Sequence, residues 1–226
     1  MHTRTIPIFP LPLVLFPGES RPLHIFEPRY RQMLGDCQAG DGRFGISHVT
    51  PTPYTDPAPS PGAVGCLVFI DSVQSLPEGR FNILVQGEER FLLRTYVETD
   101  RLYRVGVVES FQDEPFDSDE VVELAAEVRR GYERYATIAA SGSDALRASP
   151  DLPDDPMELS FRVAAALDVG PMVKQGLLEL RRPSDRLRRL TIVLDELGRD
   201  AMDSAARREQ AKGNGKSGRP HTELRD

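Results

Sequence analysis

The chain has 226 residues, enough to bury one large core or two small ones, and 39% of its residues are hydrophobic, as in ordinary globular proteins. Its formal net charge of −7 argues against nucleic acid as a partner, because a polyanion is repelled unless a local basic patch overrides the net charge. Cys37 and Cys66 are the only cysteines, which argues against a secreted disulfide framework and predicts reduced thiols in a cytoplasmic protein.

The apolar N-terminal segment, FPLPLVLFPGESRPLHIFEPRY at positions 9–30, is interrupted by five prolines. It is therefore not expected to be a signal peptide, whose apolar region is continuous, or a membrane-spanning helix, which needs about 20 apolar residues. Proline and glycine here indicate turns and a helix start instead. We predict a strand at 13–16, a turn at Pro17-Gly18, a strand at 23–26, and a helix that begins at Pro28 and ends near Gly40.

Short apolar runs separated by turn residues continue to about position 111. The predicted strands cover 44–49, 64–73, 81–85, 91–97 and 103–111, with a turn at 76–79 and either a tight connection or a bulge at 87–90. The segment TPTPYTDPAPSPG at 50–62 contains five prolines and is predicted to be an exposed loop. Short strands at this spacing, without long helices between them, favour a barrel or a sandwich.

After Phe116 the apolar residues take helical spacing. We predict helices at 119–140, from an Asp155 capping box to about 168, at 172–180, and from a Ser184 cap through an apolar stripe of Leu187, Leu190, Leu194 and Leu197. From about Asp200 the apolar content falls, which predicts disorder. The predicted organisation is therefore a barrel subdomain at 1–115, a helical subdomain at 116–200 and a disordered tail at 201–226.

No motif in the sequence predicts a reactive centre. GNGKSG at 213–218 matches G-x-G-x-x-G but lacks the flanking strand and helix, and Gln210 occupies the first glycine position of a Walker A motif. A nucleophile elbow that starts at Gly45 fails at Val49, and Lys174 is expected to lie in solvent. There is no C-x-x-C or H-E-x-x-H spacing. We therefore predict no catalytic residue, no cofactor and no metal site.

The stretch IPIFPLPLVLFPGESRPLHIFEPRYRQML at 6–34 resembles the opening of the Lon N-terminal domain family, especially its stand-alone bacterial members. The resemblance continues at 64–65, at Ile70, at 76–79, at 85–87 with Arg90, and at 174–179, 186–187 and 196–197. It implies an α+β fold, a PUA-like six-stranded β-pseudobarrel followed by a C-terminal helical bundle. In full-length Lon this region helps to engage substrate proteins, and the ATPase and Ser–Lys peptidase lie further along the chain, so we expect neither module here.

The resemblance and the missing motifs together predict a non-catalytic module that binds polypeptide clients or a partner protein, and neither nucleic acid nor a membrane. Recognition would use an apolar groove between barrel and helices, or strand addition along a barrel edge. The candidate binding residues are Arg29, Tyr30, Tyr54 and Phe116, although Tyr30 and Phe116 also suit core positions. Arg90 is expected to cap a strand end or to pair with Glu27 or Glu89. Two alternatives stay open, a hydrolase with a site of unfamiliar type and an RNA-binding PUA-like protein.

Overall fold

The structure, a computed structural model, describes residues 3–53, 56–140 and 151–214. Within these ranges six strands and five α-helices follow one another along the chain. They are β1 (Thr3–Leu11), β2 (Ser20–Ile25), α1 (Pro28–Ala39), β3 (Arg43–His48), β4 (Val64–Leu76), β5 (Arg80–Val97), β6 (Arg104–Ser110), α2 (Ser118–Ala140), α3 (Pro156–Ala166), α4 (Pro171–Glu179) and α5 (Pro183–Asn214). This order confirms the predicted α+β class, with a six-stranded sheet followed by helices.

The sheet closes into a barrel because β5 is long enough to pair with three other strands. Its first half pairs with β2, its second half pairs with β6, and β4 pairs along most of its length. β6 also pairs with β1, β1 with β3, and β3 with β4, so hydrogen bonding returns to its starting strand. β1 and β3 run parallel, and the other pairs are antiparallel. β2 is left outside this ring as an edge strand.

A bulge keeps β5 continuous where the sequence suggested either a connection or a bulge. Leu67 pairs with Glu89 and Val68 with Gly87, so Glu88 is the extra residue on β5. A side chain on Gly87 would collide with the backbone carbonyl of Phe16. The bulge interpretation is therefore correct, and the two strands predicted at 81–85 and 91–97 are one strand.

The prediction of a strand at 13–16 is wrong, because the first strand lies upstream and ends at Leu11. Residues 13–16 are irregular, although Val14, Leu15 and Phe16 are all buried. Leu15 packs in the barrel core, while Val14 and Phe16 pack in the core formed by the helices. The apolar run that resembled a strand is a segment that lies between two cores and contacts both.

The helical core confirms the predicted leucine stripe and corrects both ends of the last helix. Leu187, Leu190 and Leu194 are buried with residues of α2, α3 and α4. The helix begins at Pro183, so Ser184 lies inside its first turn and is not the cap. It also continues past Asp200 to Asn214, so helix replaces the predicted disorder over that stretch, and residues 215–226 lie outside the described residues. No helix in the described ranges has the length and apolar character needed to cross a membrane.

Candidate functional site

A buried pair of arginines attaches the helices to the barrel. Arg90 of β5 has a side chain only 3% exposed, and its Nη1 donates to the carbonyl oxygens of Leu178 and Leu180, each at 2.8 Å. Arg186 of α5 is fully buried, and its Nη1 donates to the Leu180 oxygen at 2.9 Å. Both arginines also donate to the carboxylate of Asp113, in the connection between β6 and α2. The barrel, the end of α4 and the start of α5 therefore meet at one carboxylate.

This cluster corrects the expectation that Arg90 would pair with Glu27 or Glu89. The aromatic ring of Phe161 contacts both guanidinium groups, with centroid distances of 4.1 Å to Arg186 and 5.3 Å to Arg90. Burial lowers the pKa of Arg90 to about 10, against the opposing effect of the Asp113 carboxylate. This value lies well above neutral pH, so Arg90 is a cation, and it shares the Asp113 carboxylate with the guanidinium group of Arg186. Their remaining partners are backbone carbonyls, aromatic faces and the Ser160 hydroxyl oxygen, which accepts from Arg186 Nε at 2.8 Å.

The two helices that this cluster positions leave an apolar groove between them, which we call the α4–α5 groove. Its volume is about 540 Å³. The lining residues are Met172, Val173 and Gly176 of α4, Leu180 directly after α4, and Asp185, Arg188, Arg189 and Ile192 of α5. The α5 residues are spaced at i, i+3, i+4 and i+7, which places them on one face of the helix.

Two large apolar side chains in the groove are exposed to solvent. Met172 is 69% exposed and Ile192 is 48% exposed, whereas Leu177 and Leu178 on the other side of α4 are fully buried. Folding therefore completes the helical core without using Met172 or Ile192. Their apolar surface remains available to a partner that fills the groove.

Gly176 keeps the middle of the groove open. Glycine in a helix interior is unfavourable by roughly 0.5–1 kcal/mol relative to alanine. A side-chain carbon added at Gly176 would meet nothing within 4 Å, and its φ is not positive, so neither close contact nor backbone geometry requires glycine. The fold gives no reason for this residue, and its consequence is a gap in the α4 side of the groove.

The other proposed recognition mode, strand addition, has an obstacle at the free edge of β2. Pro22 lies in the middle of this strand, opposite Leu84 of β5. Proline has no N–H, and in sheets it is tolerated at edges where the side without the donor faces solvent. An added strand would therefore lose a ladder hydrogen bond at the centre of a six-residue edge. The α4–α5 groove is the better-formed surface of the two.

The structure separates the residues predicted as binding candidates. Arg29 is half-buried and pairs with Glu27 at 2.9 Å and with Asp56 of the proline-rich loop. Tyr30 lies in the barrel core, its ring centroid 4.1 Å from that of Phe9, and burial raises its pKa to about 12. The Tyr30 side chain therefore packs in the barrel core and is not exposed to solvent.

The structure describes only one of the remaining two candidates. Phe116 is 47% exposed in the connection before α2. Tyr54 lies outside the described residues. The sequence analysis did not select Met172 or Ile192, although the position of Ile192 in the apolar pattern of α5 was a usable signal. Ile192 is an apolar residue out of phase with the buried leucine stripe of α5, and such residues point away from the core of their own helix.

The described residues contain no group of three or more His, Cys, Asp or Glu side chains that could hold a metal ion. Cys37 and Cys66 are free and buried, and burial raises the pKa of both thiols, that of Cys37 to about 12. Lys174 was expected to lie in solvent, but it is half-buried and donates to the Ala165 carbonyl oxygen at 2.9 Å. Desolvation lowers its pKa.

Comparison with known proteins gives a consistent result. The family model described as the ATP-dependent protease La (LON) substrate-binding domain matches residues 5–196. Lon protease of Solibacter usitatus is 26% identical over 85% of this chain, and Lon protease 1 of Hydrogenovibrio crunogenus is 27% identical over 77%. The matches cover 24% and 22% of those two proteins, so the chain spans about a quarter of their length.

Two solved structures share the fold. The Lon N-terminal domain protein from Xanthomonas campestris superposes with a TM-score of 0.57 at 24% identity, over 83% of this chain and 96% of that one. The N-terminal domain of Mycobacterium avium complex Lon protease gives a TM-score of 0.61 at 19% identity, over 87% and 99% respectively. In both cases nearly the whole solved domain is matched.

Proposed function

Because the chain belongs to the family of Lon substrate-binding domains, we propose that it binds polypeptide segments in the α4–α5 groove and performs no catalysis on them. The observation that carries this proposal is the exposure of Met172 and Ile192 on facing helices, beside the gap at Gly176. The relatives named Lon protease are about four times longer than the matched region, so their catalysis is not transferred to this chain.

The physical basis is burial of apolar surface on both partners. An apolar side chain that enters the groove removes Met172, Ile192 and itself from water, at roughly 25 cal/mol per Å² of apolar surface. Folded proteins keep most of their large apolar side chains inside, so the groove favours unfolded or extended segments that expose them. The same groove discriminates weakly between apolar residues, which suits a module that engages many clients.

The test is binding of a labelled, permanently unfolded polypeptide, such as reduced and carboxymethylated α-lactalbumin, followed by fluorescence anisotropy. Wild type is compared with the double variant Met172→Glu/Ile192→Glu. Full burial of one such side chain stabilises by about 1.5–3 kcal/mol, so we expect the double variant to bind at least tenfold more weakly. Leu102→Glu/Val122→Glu is the matched control, since both residues are exposed and apolar but lie outside the groove lining.

Equal loss of affinity in the groove variant and in the control variant would contradict the groove assignment. The polypeptide is also expected to remain intact on a gel after prolonged incubation with and without ATP. Cleavage of the polypeptide by an activity that co-purifies with the protein would favour the hydrolase alternative. A salt-sensitive shift of an RNA probe at sub-micromolar protein would favour the RNA-binding alternative.

A further inference from the structure

The charged side chains that line the α4–α5 groove are not equivalent. Arg188 is neutralised from two sides, by Glu120 of α2 and by Asp185 at 3.6 Å. Arg189 has no carboxylate within ion-pair distance among residues 3–53, 56–140 and 151–214, and it is exposed. The groove of a protein with net charge −7 therefore presents one uncompensated cation beside its apolar residues.

We propose that the groove selects polypeptide segments in which an acidic residue lies next to the apolar anchor, and that Arg189 is the residue that determines this preference. This inference rests on the proposed function. Arg189 and Ile192 are three residues apart on one helix face, or about 4.5 Å along the helix axis. An extended chain advances about 3.3 Å per residue, so a carboxylate one or two positions from the anchor reaches the guanidinium.

The position of Asp185 gives the groove a direction. α4 ends at Glu179 and α5 begins at Pro183, so the groove is closed near Asp185 and open towards Met172 and Ile192. The Asp185 carboxylate disfavours an acidic residue at the closed end, although its pairing with Arg188 reduces this effect. The acidic residue is therefore placed on the open side, where Arg189 and Ile192 adjoin.

Local attraction prevails over the net charge of the protein at physiological ionic strength. Repulsion of an acidic segment by the acidic body acts over long distances and is screened beyond about 8 Å. A guanidinium and a carboxylate in contact beside apolar side chains are screened much less. Arginine also suits this role because its planar fork of N–H donors matches a carboxylate in a bidentate arrangement.

The test uses three labelled peptides that are identical except for the residue next to a central apolar anchor, which is Glu, Gln or Lys. Anisotropy titrations compare wild type, Arg189→Gln, and Arg182→Gln as the matched control. Arg182 is an exposed arginine of the same region that pairs with Glu114 and does not line the groove. We expect wild type to bind the Glu peptide about threefold more tightly than the Gln peptide, the size of an exposed ion pair, and the Lys peptide least tightly.

Arg189→Gln is expected to bind the three peptides equally, whereas Arg182→Gln keeps the wild-type order. Equal binding of all three peptides by wild type would overturn the inference and leave the proposed function intact. Failure of wild type to bind any of the peptides would overturn both. A preference for the Glu peptide that persists in Arg189→Gln would overturn the assignment to Arg189. A preference of wild type for the Lys peptide would overturn the proposed selection of acidic segments.

Discussion

Replacement of Asp113 by asparagine tests the cluster that joins barrel and helices. Asp113→Asn keeps the shape of the side chain and removes the negative charge that Arg90 and Arg186 share. Both guanidinium groups would remain buried against the ring of Phe161, with Arg90 beside the carbonyl oxygens of Leu178 and Leu180 and Arg186 beside that of Leu180. The expected result is a large loss of stability, because two like charges are left in a desolvated site.

The magnitude follows from the contacts. The Asp113 carboxylate accepts from Arg186 Nη1 at 3.0 Å and Nη2 at 2.8 Å, and also from Arg90 Nη2. Removal of one partner from a buried ion pair costs about 3–5 kcal/mol. The Asp113 side chain is 18% exposed, so water compensates in part, and asparagine retains one acceptor oxygen. We therefore expect the free energy of unfolding to fall by about 3 kcal/mol, near the lower limit of that range.

The assay is urea denaturation followed by circular dichroism at neutral pH. Since m is about 1–3 kcal/mol/M for small proteins, the midpoint should fall by about 1–3 M. Glu114→Gln is the control, because the neighbouring carboxylate pairs with Arg181 and Arg182 at the surface and its loss should cost less than about 1 kcal/mol. A loss below about 1 kcal/mol in Asp113→Asn would refute the view that this carboxylate offsets two buried cations.

Three further predictions concern other parts of the chain. Gly176→Ala should raise the free energy of unfolding by about 0.5–1 kcal/mol in urea denaturation, since the added carbon meets open space. Asp56→Asn should cost about 0.5 kcal/mol at pH 7. The hydrogen bond from Arg29 lowers the pKa of Asp56, so its contribution is present above the ordinary value and is lost as pH falls through the lowered folded-state pKa. Cys37 and Cys66 should not react with a thiol reagent at pH 8 until the protein unfolds.

Each of these predictions has a result that would contradict it. Destabilisation by Gly176→Ala would show that α4 requires glycine for its own geometry. For Asp56→Asn, urea titrations at pH 7, 5 and 3 provide the comparison, and a wild-type advantage that grows towards acid would have the wrong sign. Rapid reaction of one thiol in the native protein would show that its side chain is accessible, contrary to the burial of both cysteines.

Local chemistry made much of the element order predictable. Helix α1 begins at Pro28, because proline at the first helical position loses no hydrogen bond. The C-cap of α1 is Gly40, the residue at which the sequence predicted the end of the helix. Asp155 caps α3 by accepting from the backbone N–H groups of Met157 and Glu158, as the spacing of polar residues indicated. These features depend on neighbours along the chain, so the sequence displays them directly. The division into subdomains at 115 and 200 and the cytoplasmic location stay predictions.

Prediction failed where the deciding partner is distant in the chain. The segment 13–16 is a short apolar run typical of a strand, but its buried side chains contact two different cores and no ladder partner is present in the described structure. Arg90 has acidic neighbours in sequence, but it donates instead to Asp113, 23 residues away, and to the Leu178 and Leu180 carbonyls, 88 and 90 residues away. An apolar run indicates burial but does not identify the surface that covers it, and the charged neighbours of a residue in the sequence do not identify its partner in the fold.

By itself, the sequence determined the class of the fold, the starts of α1 and α3, the apolar stripe of α5 and the family, since each depends on residue types at fixed spacing. Tertiary structure alone decided that β5 closes the barrel, that Arg90 and Arg186 share one carboxylate, and that Met172 and Ile192 face a common groove. The reason is physical. Capping and patterning act between neighbours in the chain, whereas closure, buried charge and an unfilled groove depend on which distant surfaces meet when the chain folds.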